Sequence, residues 1–507
     1  MTDQQRYDRQ LRLWGEVAQQ RLENSKLLAI GSDCVATEYL KSVILPGIGY
    51  IMIADDHQID DLDIETNFFV EITDMNKQRG EITLQNLLEL NDRVKGEFKQ
   101  ITLHEIIETN NQTHFIDQFN VIVCSNQRHS EVIELSQMTE YPVIEIVTNG
   151  YLGYVKAYYK SFVIFDNGED KMMDLRIQES FPKLTEFYQS IDIPSLNKED
   201  HSHIPFPLIL MYALNEWRKE NNTNSIPKKI TEKNRLKEII RKEKRSFTEE
   251  NFIEAERYAF HCWGKPKGIV DELINDERRK QYKEMTIKEE KEFWLFISIV
   301  RKFYDRNGRL PIDPTLNDMI CGNEYFVKLQ QVYKEQMEED VKEMMKDIEI
   351  ETREIGEEIL TEESVKRYCK SIRRMRVHDG NKKEIQEEYE DDLFEGEESL
   401  AMYLLIFYGM FRFEEKYGRI PCDEKDREEM KRMTEEVMKE KGIQREIKHI
   451  QIEEICRFGG VQIHSVNSVI GSFVGQEIIK FVTHQFDCLH TTFLMNTITG
   501  KSLHGIY

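Results

Sequence analysis

The chain is short of the features that mark membrane proteins, disulfide scaffolds and nucleic-acid binders. Its longest apolar run, Leu400–Phe411, has 12 residues, against about 20 needed to span a bilayer, so it reads as a buried helix. The opening Met-Thr-Asp-Gln-Gln-Arg carries no apolar signal segment. The 8 cysteines are widely spaced and form no C-x-x-C pair, which argues against a zinc site or a disulfide framework. Basic residues are also scarce, 69 against 93 acidic, for a net charge of −24. That balance repels a phosphate backbone and suits a basic protein surface better. The expectation is a protein of the cytoplasm, the nucleus or both, with reduced thiols, no metal, no nucleic-acid partner and no membrane.

What is present is an α/β pattern interrupted by helices. Leu27–Ile30, Tyr50–Ile53, Val121–Cys124 and Val143–Ile146 are short apolar runs bounded by turn residues, as in a parallel sheet covered on both faces. Thr37–Val43 and Gly80–Leu90 read as helices between them, and Pro46-Gly47-Ile48-Gly49 stops the first. From 167 to 445 charged amphipathic helices take over, with a strongly acidic stretch, Glu384–Glu398, read as a loop or linker. Three stretches there share a pattern of apolar helix, polar tail and a small loop ending in Pro227, Pro311 or Pro421, a loose repeat. The α/β pattern returns at 446, where Gly471 and Gly475 share one helix face for close packing onto a sheet, and Thr491–Asn496 reads as a strand. The predicted architecture is a Rossmann-like α/β domain, 1–166 and 446–507, interrupted by an all-α insertion, 167–445.

The most informative stretch is Leu27-Leu-Ala-Ile-Gly-Ser-Asp-Cys-Val-Ala36, a strand entering a helix through a turn where nucleotide folds carry G-x-G-x-x-G. Gly31 is kept, Asp33 replaces the second glycine and Ala36 the third. A carboxylate facing phosphate at roughly 4 Å costs about 4 kcal/mol at an effective dielectric near 20, about a thousandfold in affinity. The fold is expected to persist and the nucleotide site to be lost.

Tyr7-Asp8-Arg9-Gln10-Leu11-Arg12-Leu13-Trp14-Gly15 resembles the opening helix of ubiquitin-like-modifier activating enzymes. Leu45-Pro46-Gly47-Ile48-Gly49, Asn67-Phe68-Phe69, Asp200-His-Ser-His-Ile-Pro205 and Gly475-Gln-Glu-Ile-Ile-Lys480 match in the same order. The resemblance spans almost the whole chain. The Asp200–Pro205 stretch, inside a long helical insertion, is similar to the regulatory branch of the neddylation type rather than the sumoylation type. The resemblance implies a non-catalytic subunit that binds no cofactor itself. Its partner, the cysteine-bearing subunit, would hold ATP and Mg²⁺, adenylate the C-terminal glycine of a Nedd-type modifier and form the thioester. A conjugating enzyme would then take the modifier to cullins.

Against that family the site residues are degenerate. Asp55 is kept, His57 stands for the second acidic residue of Asp-x-Asp, Thr66 for a phosphate-binding Arg and Arg79 for a Lys. Ser125-Asn126-Gln127 occupies the place of a metal-binding Asp. Adenylation needs cations against the charge that develops on the phosphates, so with Asp33 these changes imply an inactive site. Arg9 is the one residue to which the resemblance gives a chemical role, reaching the partner's ATP in trans; the alternative is a surface pairing with Asp8. Arg12 reads as structural or interfacial. No Pro-x-Cys-Thr is present, and Cys422, the nearest imitation, sits beside Asp423 and Glu424, which disfavour a thiolate. His201 and His203 are expected to bond at a loop–helix junction. Lys228–Arg245, with nine Lys/Arg, reads either as a solvated helix or as a docking face for an acidic partner, and Phe68-Phe69 as core or dimer contact. The rival functions are a sumoylation-type subunit, a nucleotide-dependent adenylating or redox enzyme in its own right, and a standalone helical adaptor.

Overall fold

A computed structural model describes residues 3–169, 173–264, 270–380 and 399–505. The acidic stretch Glu384–Glu398 lies outside them. Ten strands are described: β1 Lys26–Ile30, β2 Tyr50–Ala54, β3 Lys95–Lys99, β4 Val121–Ser125, β5 Val143–Asn149, β6 Leu152–Tyr158, β7 Ser161–Ile164, β8 Arg376–Asp379, β9 Thr492–Asn496 and β10 Lys501–Gly505. Eight form one sheet in the order β10-β9-β6-β5-β4-β1-β2-β3, and β7 pairs with β8. From β3 to β5 neighbours are parallel, whereas β6, β9 and β10 add antiparallel pairs. The four apolar runs read as parallel strands are therefore β1, β2, β4 and β5. Their buried residues alternate between two cores: Leu27 and Ala29 face one, Leu28 and Ile30 the other.

The chain divides into two compact units, residues 1–164 with 377–507, and residues 165–376. This corrects the expected insertion of 167–445. The helices Leu400–Tyr417 and Asp426–Glu440 belong to the α/β unit, where Phe407 and Phe411 pack on Tyr154 of β6 at 5.6 and 5.4 Å. Leu400–Tyr417 is buried along nearly all its length to Phe413, and Asp426–Glu440 packs on it through Met430, Met433 and Val437.

Gly471 and Gly475, expected to meet a sheet, pack instead on the helix Cys34–Ile44. A methyl at Gly471 would lie 2.5 Å from Glu38 Cβ and 3.0 Å from Val35 O. The helical period placed both glycines on one face, but which element covers that face is a tertiary matter.

Two of the three repeat loops share a hydrogen-bond set. After helices ending in left-handed Gly308 (φ 66) and Gly418 (φ 67), Arg309 forks onto Asp340 at 2.7 and 2.6 Å and Arg419 onto Asp426 at 2.7 Å twice. Each carboxylate also accepts the backbone N–H three residues beyond its arginine, Ile312 (3.0 Å) and Cys422 (2.9 Å). The loop at Asn224–Pro227 has no such arginine; Arg218, from the preceding helix, donates to Ser225 O at 3.2 Å.

Candidate functional site

In open α/β sheets ligands bind beyond the carboxyl ends of the strands, where the strand order reverses. Here that point lies between β1 and β4, and the turn Gly31–Asp33 leaves β1 there. Gly31 has φ +92, which only glycine adopts readily, and a methyl on it would meet Ser125 Oγ at 2.7 Å, Ser125 O at 2.9 Å and Gln127 Nε2 at 3.1 Å. The chain's own Ser125 and Gln127 thus crowd the turn, with Gln127 Nε2 donating to Ser125 O at 3.0 Å.

Asp33 corrects the sequence expectation. Its carboxylate does not stand free to repel a ligand; it caps the helix Cys34–Ile44 and accepts from Ala36 N at 3.0 Å. Its second oxygen accepts from Asn126 Nδ2 (2.6 Å) and Gln462 Nε2 (3.0 Å). A helix N-terminus stabilises an anion there, and an internal carboxylate takes the place a phosphate would use. Ala36 is fully buried beneath it.

Asp55 and Arg79 form the second half. Asp55, only 3% exposed, accepts from Ser32 N (3.1 Å), Ser32 Oγ, His57 N and Nδ1 (both 3.1 Å), and Arg79 Nε (2.9 Å) and Nη2 (3.3 Å). Arg79 Nη1 continues to Asp63 at 3.2 Å. Burial pushes the Asp55 carboxyl up, but bonds from His57, Arg79 and Ser32 outweigh it and hold it well below the usual range. Asp63 moves the other way: burial raises it, because Arg79 and Asp60 N–H offset that only in part and the Asp60 charge adds to it. His57, bonded to Asp55, is raised above its ordinary 6.5.

Thr66 offers no charge: its hydroxyl donates to Leu62 O at 2.8 Å, and its carbonyl lies 3.1 Å from Cys34 Sγ and 3.2 Å from His464 Nδ1. Phe68 lies against His464, ring centroids 4.0 Å apart and tilted by 57°, and is 76% exposed, whereas Phe69 packs on the core. Sequence reasoning missed Gln462 and His464. They lie at the start of the helix His464–Thr483, some 430 residues beyond the turn they close, and no local signal marks them. The residues present do not fit ATP and Mg²⁺: the helix N-terminus is spent on Asp33, and Arg79 lies between Asp55 and Asp63. Asp55, Asp56 and His57 are mutually close enough to share an ion, yet Asp55 is already committed to Arg79, Ser32 and His57.

Elsewhere, the other sequence candidates fall into place. Arg9 is exposed on the helix Asp3–Asn24 with no bonded partner among the described residues, and Asp8, its expected surface partner, is engaged by Arg12 at 2.9 Å. Cys422 is exposed; Arg419 Nη1 lies 3.7 Å from its sulfur, and the Asp423 carboxylate turns to the N–H groups of Lys425 and Asp426. The Asp423 carboxylate is thus bonded to backbone N–H groups and not to the thiol. Burial pushes the thiols of Cys34 to about 12 and of Cys321 and Cys456 to about 11. His201 is buried, 2.8 Å from Glu249 and stacked on Phe252, while His203 is exposed. In Lys228–Arg245, Arg235 pairs with Glu220 and Glu238, Arg241 with Glu256, and Arg245 donates to three carbonyls.

The chain resembles known proteins along its whole length. It is 28% identical to the NEDD8-activating enzyme E1 regulatory subunit of Xenopus laevis, over 98% of both chains. It is 29% identical to that of Danio rerio over 98% of both. With the NEDD8-activating enzyme E1 regulatory subunit AXR1 of Arabidopsis thaliana it shares 27% over 98% of this chain and 95% of the other. The ThiF family model matches residues 7–504. With a parallel-rich sheet and a nucleotide-type turn at the switch point of its strands, the chain belongs to the ThiF family.

Proposed function

We propose that this chain is the regulatory subunit of a NEDD8-activating enzyme, a half that performs no adenylation itself. The observation that carries the reading is end-to-end similarity to such subunits, combined with a nucleotide turn filled by the chain's own Asp33, Ser125, Gln127 and Arg79. ATP and Mg²⁺ belong to the partner, which adenylates the modifier's C-terminal glycine, captures it as a thioester on its cysteine and hands it to a conjugating enzyme. Similarity that includes the helical unit favours this over a sumoylation-type subunit, and the filled turn favours it over an adenylating or redox enzyme.

Arg9 is this chain's contribution to the chemistry. Its guanidinium is exposed and reaches the partner's ATP phosphates, where a planar fork makes charge-assisted bonds. The experiment is reconstitution. The isolated chain binds no ATP by calorimetry and exchanges no pyrophosphate into ATP, and both activities appear when the cysteine-bearing subunit is added. Saturable micromolar ATP binding by the isolated chain would overturn the reading. So would a modifier thioester on this chain, seen on a non-reducing gel, that disappears in Cys422→Ser.

A further inference from the structure

We infer that Tyr7 is a positioning residue: seated against Gly47 and Asn91, it sets the direction of the segment that displays Arg9. The inference rests on the reading of Arg9 given above. The helix Asp3–Asn24 is broken at Gly15, whose φ of 82 and ψ of 169 are not helical. Nothing lies within 4 Å of a methyl placed there, so glycine is needed for the backbone and not for room. Across such a break the i→i−4 ladder is interrupted, and the helix beyond Gly15 cannot aim the residues before it.

Side chains must aim them instead. Arg6, Asp8 and Arg9 are exposed, but Tyr7 between them is 4% exposed. Its hydroxyl accepts from Asn91 Nδ2 at 3.1 Å, and the same nitrogen, deep in the unit, donates to Ile44 O at 2.8 Å. Gly47 (φ +93) forms the wall of the seat: a methyl there would stand 2.6 Å from Tyr7 Oη and 3.0 Å from Cζ. At the other end of the segment Trp14 Nε1 donates to Gln19 Oε1 (3.1 Å), and Gln19 Nε2 donates to Pro46 O (3.0 Å). The turn Leu45–Gly49 therefore holds the segment at both ends. Two stretches that stand apart in sequence, Tyr7–Gly15 and Leu45–Gly49, are the two sides of one joint.

The consequence for Arg9 is geometric. Helical residues advance about 100° each, so Arg9 lies about 200° round the axis from Tyr7. A seated Tyr7 turns Arg9 outward, toward a second chain. Misplacing a catalytic group by about 1 Å can cost on the order of a hundredfold in rate.

The test combines two readouts on Tyr7→Ala, Tyr7→Phe, Arg9→Ala and the double variant Tyr7→Ala/Arg9→Ala. In the full chain, Tyr7→Ala raises amide hydrogen exchange over Asp8–Trp14 by about tenfold or more, whereas Tyr7→Phe, which keeps the ring, raises it by about threefold or less. In the assembled heterodimer, Tyr7→Ala slows pyrophosphate exchange by about tenfold, Tyr7→Phe restores most of the rate, and the double variant is no slower than Arg9→Ala. Unchanged hydrogen exchange in Tyr7→Ala, or a double variant slowed by the product of the two single effects, would overturn the inference. If Tyr7→Ala does not fold, a Tyr7→Phe enzyme with wild-type exchange and a tenfold slower rate does the same. Wild-type rates in Arg9→Ala would instead defeat the role of Arg9, and hydrogen exchange alone would then decide whether Tyr7 holds the segment.

Discussion

The nucleotide turn and the N-terminal segment lie in the same α/β unit and treat their polar groups in opposite ways. At the turn, the carboxylates of Asp33 and Asp55 are met by backbone N–H groups, amides and a guanidinium of the same chain. Along the segment, Tyr7 is buried and bonded, while Arg9, two residues on, is left to solvent. The first arrangement closes a site, because a donor satisfied internally gains nothing from a ligand. The second leaves a cation exposed, because the anchored and the exposed residue lie on different sides of one helix. The turn differs from an open nucleotide site by occupied groups more than by missing ones.

The strongest way to break this comparison is to empty the closed site. Arg79→Met leaves Asp55, its side chain 2% exposed, and Asp63 without their guanidinium. The expected loss is about 3–5 kcal/mol, read as a lower denaturation midpoint of the isolated chain. A loss under about 1 kcal/mol would show that packing, and not charge, holds the site shut. Arg9→Ala is expected to do the reverse, leaving stability and assembly intact while slowing adenylate formation by roughly 10- to 150-fold, the equivalent of about 1.5–3 kcal/mol. Arg9→Lys recovers part of that, and an intact dimer with wild-type rates returns Arg9 to an ordinary surface role.

Gly31→Ala sharpens the comparison at the turn. With φ +92 and Ser125 Oγ at 2.7 Å from the new methyl, it is expected to destabilise by about 1–2 kcal/mol without creating or removing ATP binding; a neutral effect would mean Ser125 and Gln127 move freely. The smallest effect concerns pH. His57 titrates above its ordinary value, foremost through its bond to Asp55, so its contribution is fully present below about pH 6.5 and fades as pH rises through the raised value. The side chain is 64% exposed, which keeps the contribution under about 1 kcal/mol. Denaturation midpoints of His57→Asn and the unmodified chain should converge above that window; a constant gap across it would assign the effect to something other than titration.

What the sequence determined by itself is local. Strand–turn–helix order, the glycines at Gly31 and Gly47, and the residue types at Asp33, Thr66 and Arg79 can be read in order along the chain, since each depends on a few neighbours. The loop pattern at Pro311 and Pro421 was legible for the same reason, and Arg419 finds Asp426 only seven residues on, but the fork of Arg309 onto Asp340, 31 residues away, is a tertiary contact. What the tertiary structure decided depends on partners remote in sequence. Asp33 is a helix cap bonded to Gln462, the helix Leu400–Tyr417 packs on the sheet, and Gly471 meets Glu38. A carboxylate at a phosphate turn reads as a repelling charge until its donors are counted, and two of them, Asn126 and Gln462, are brought there only by the packed fold. Burial and hydrogen-bond satisfaction are properties of the packed chain, so the sequence could say that this site had changed, and only the structure could say what now fills it.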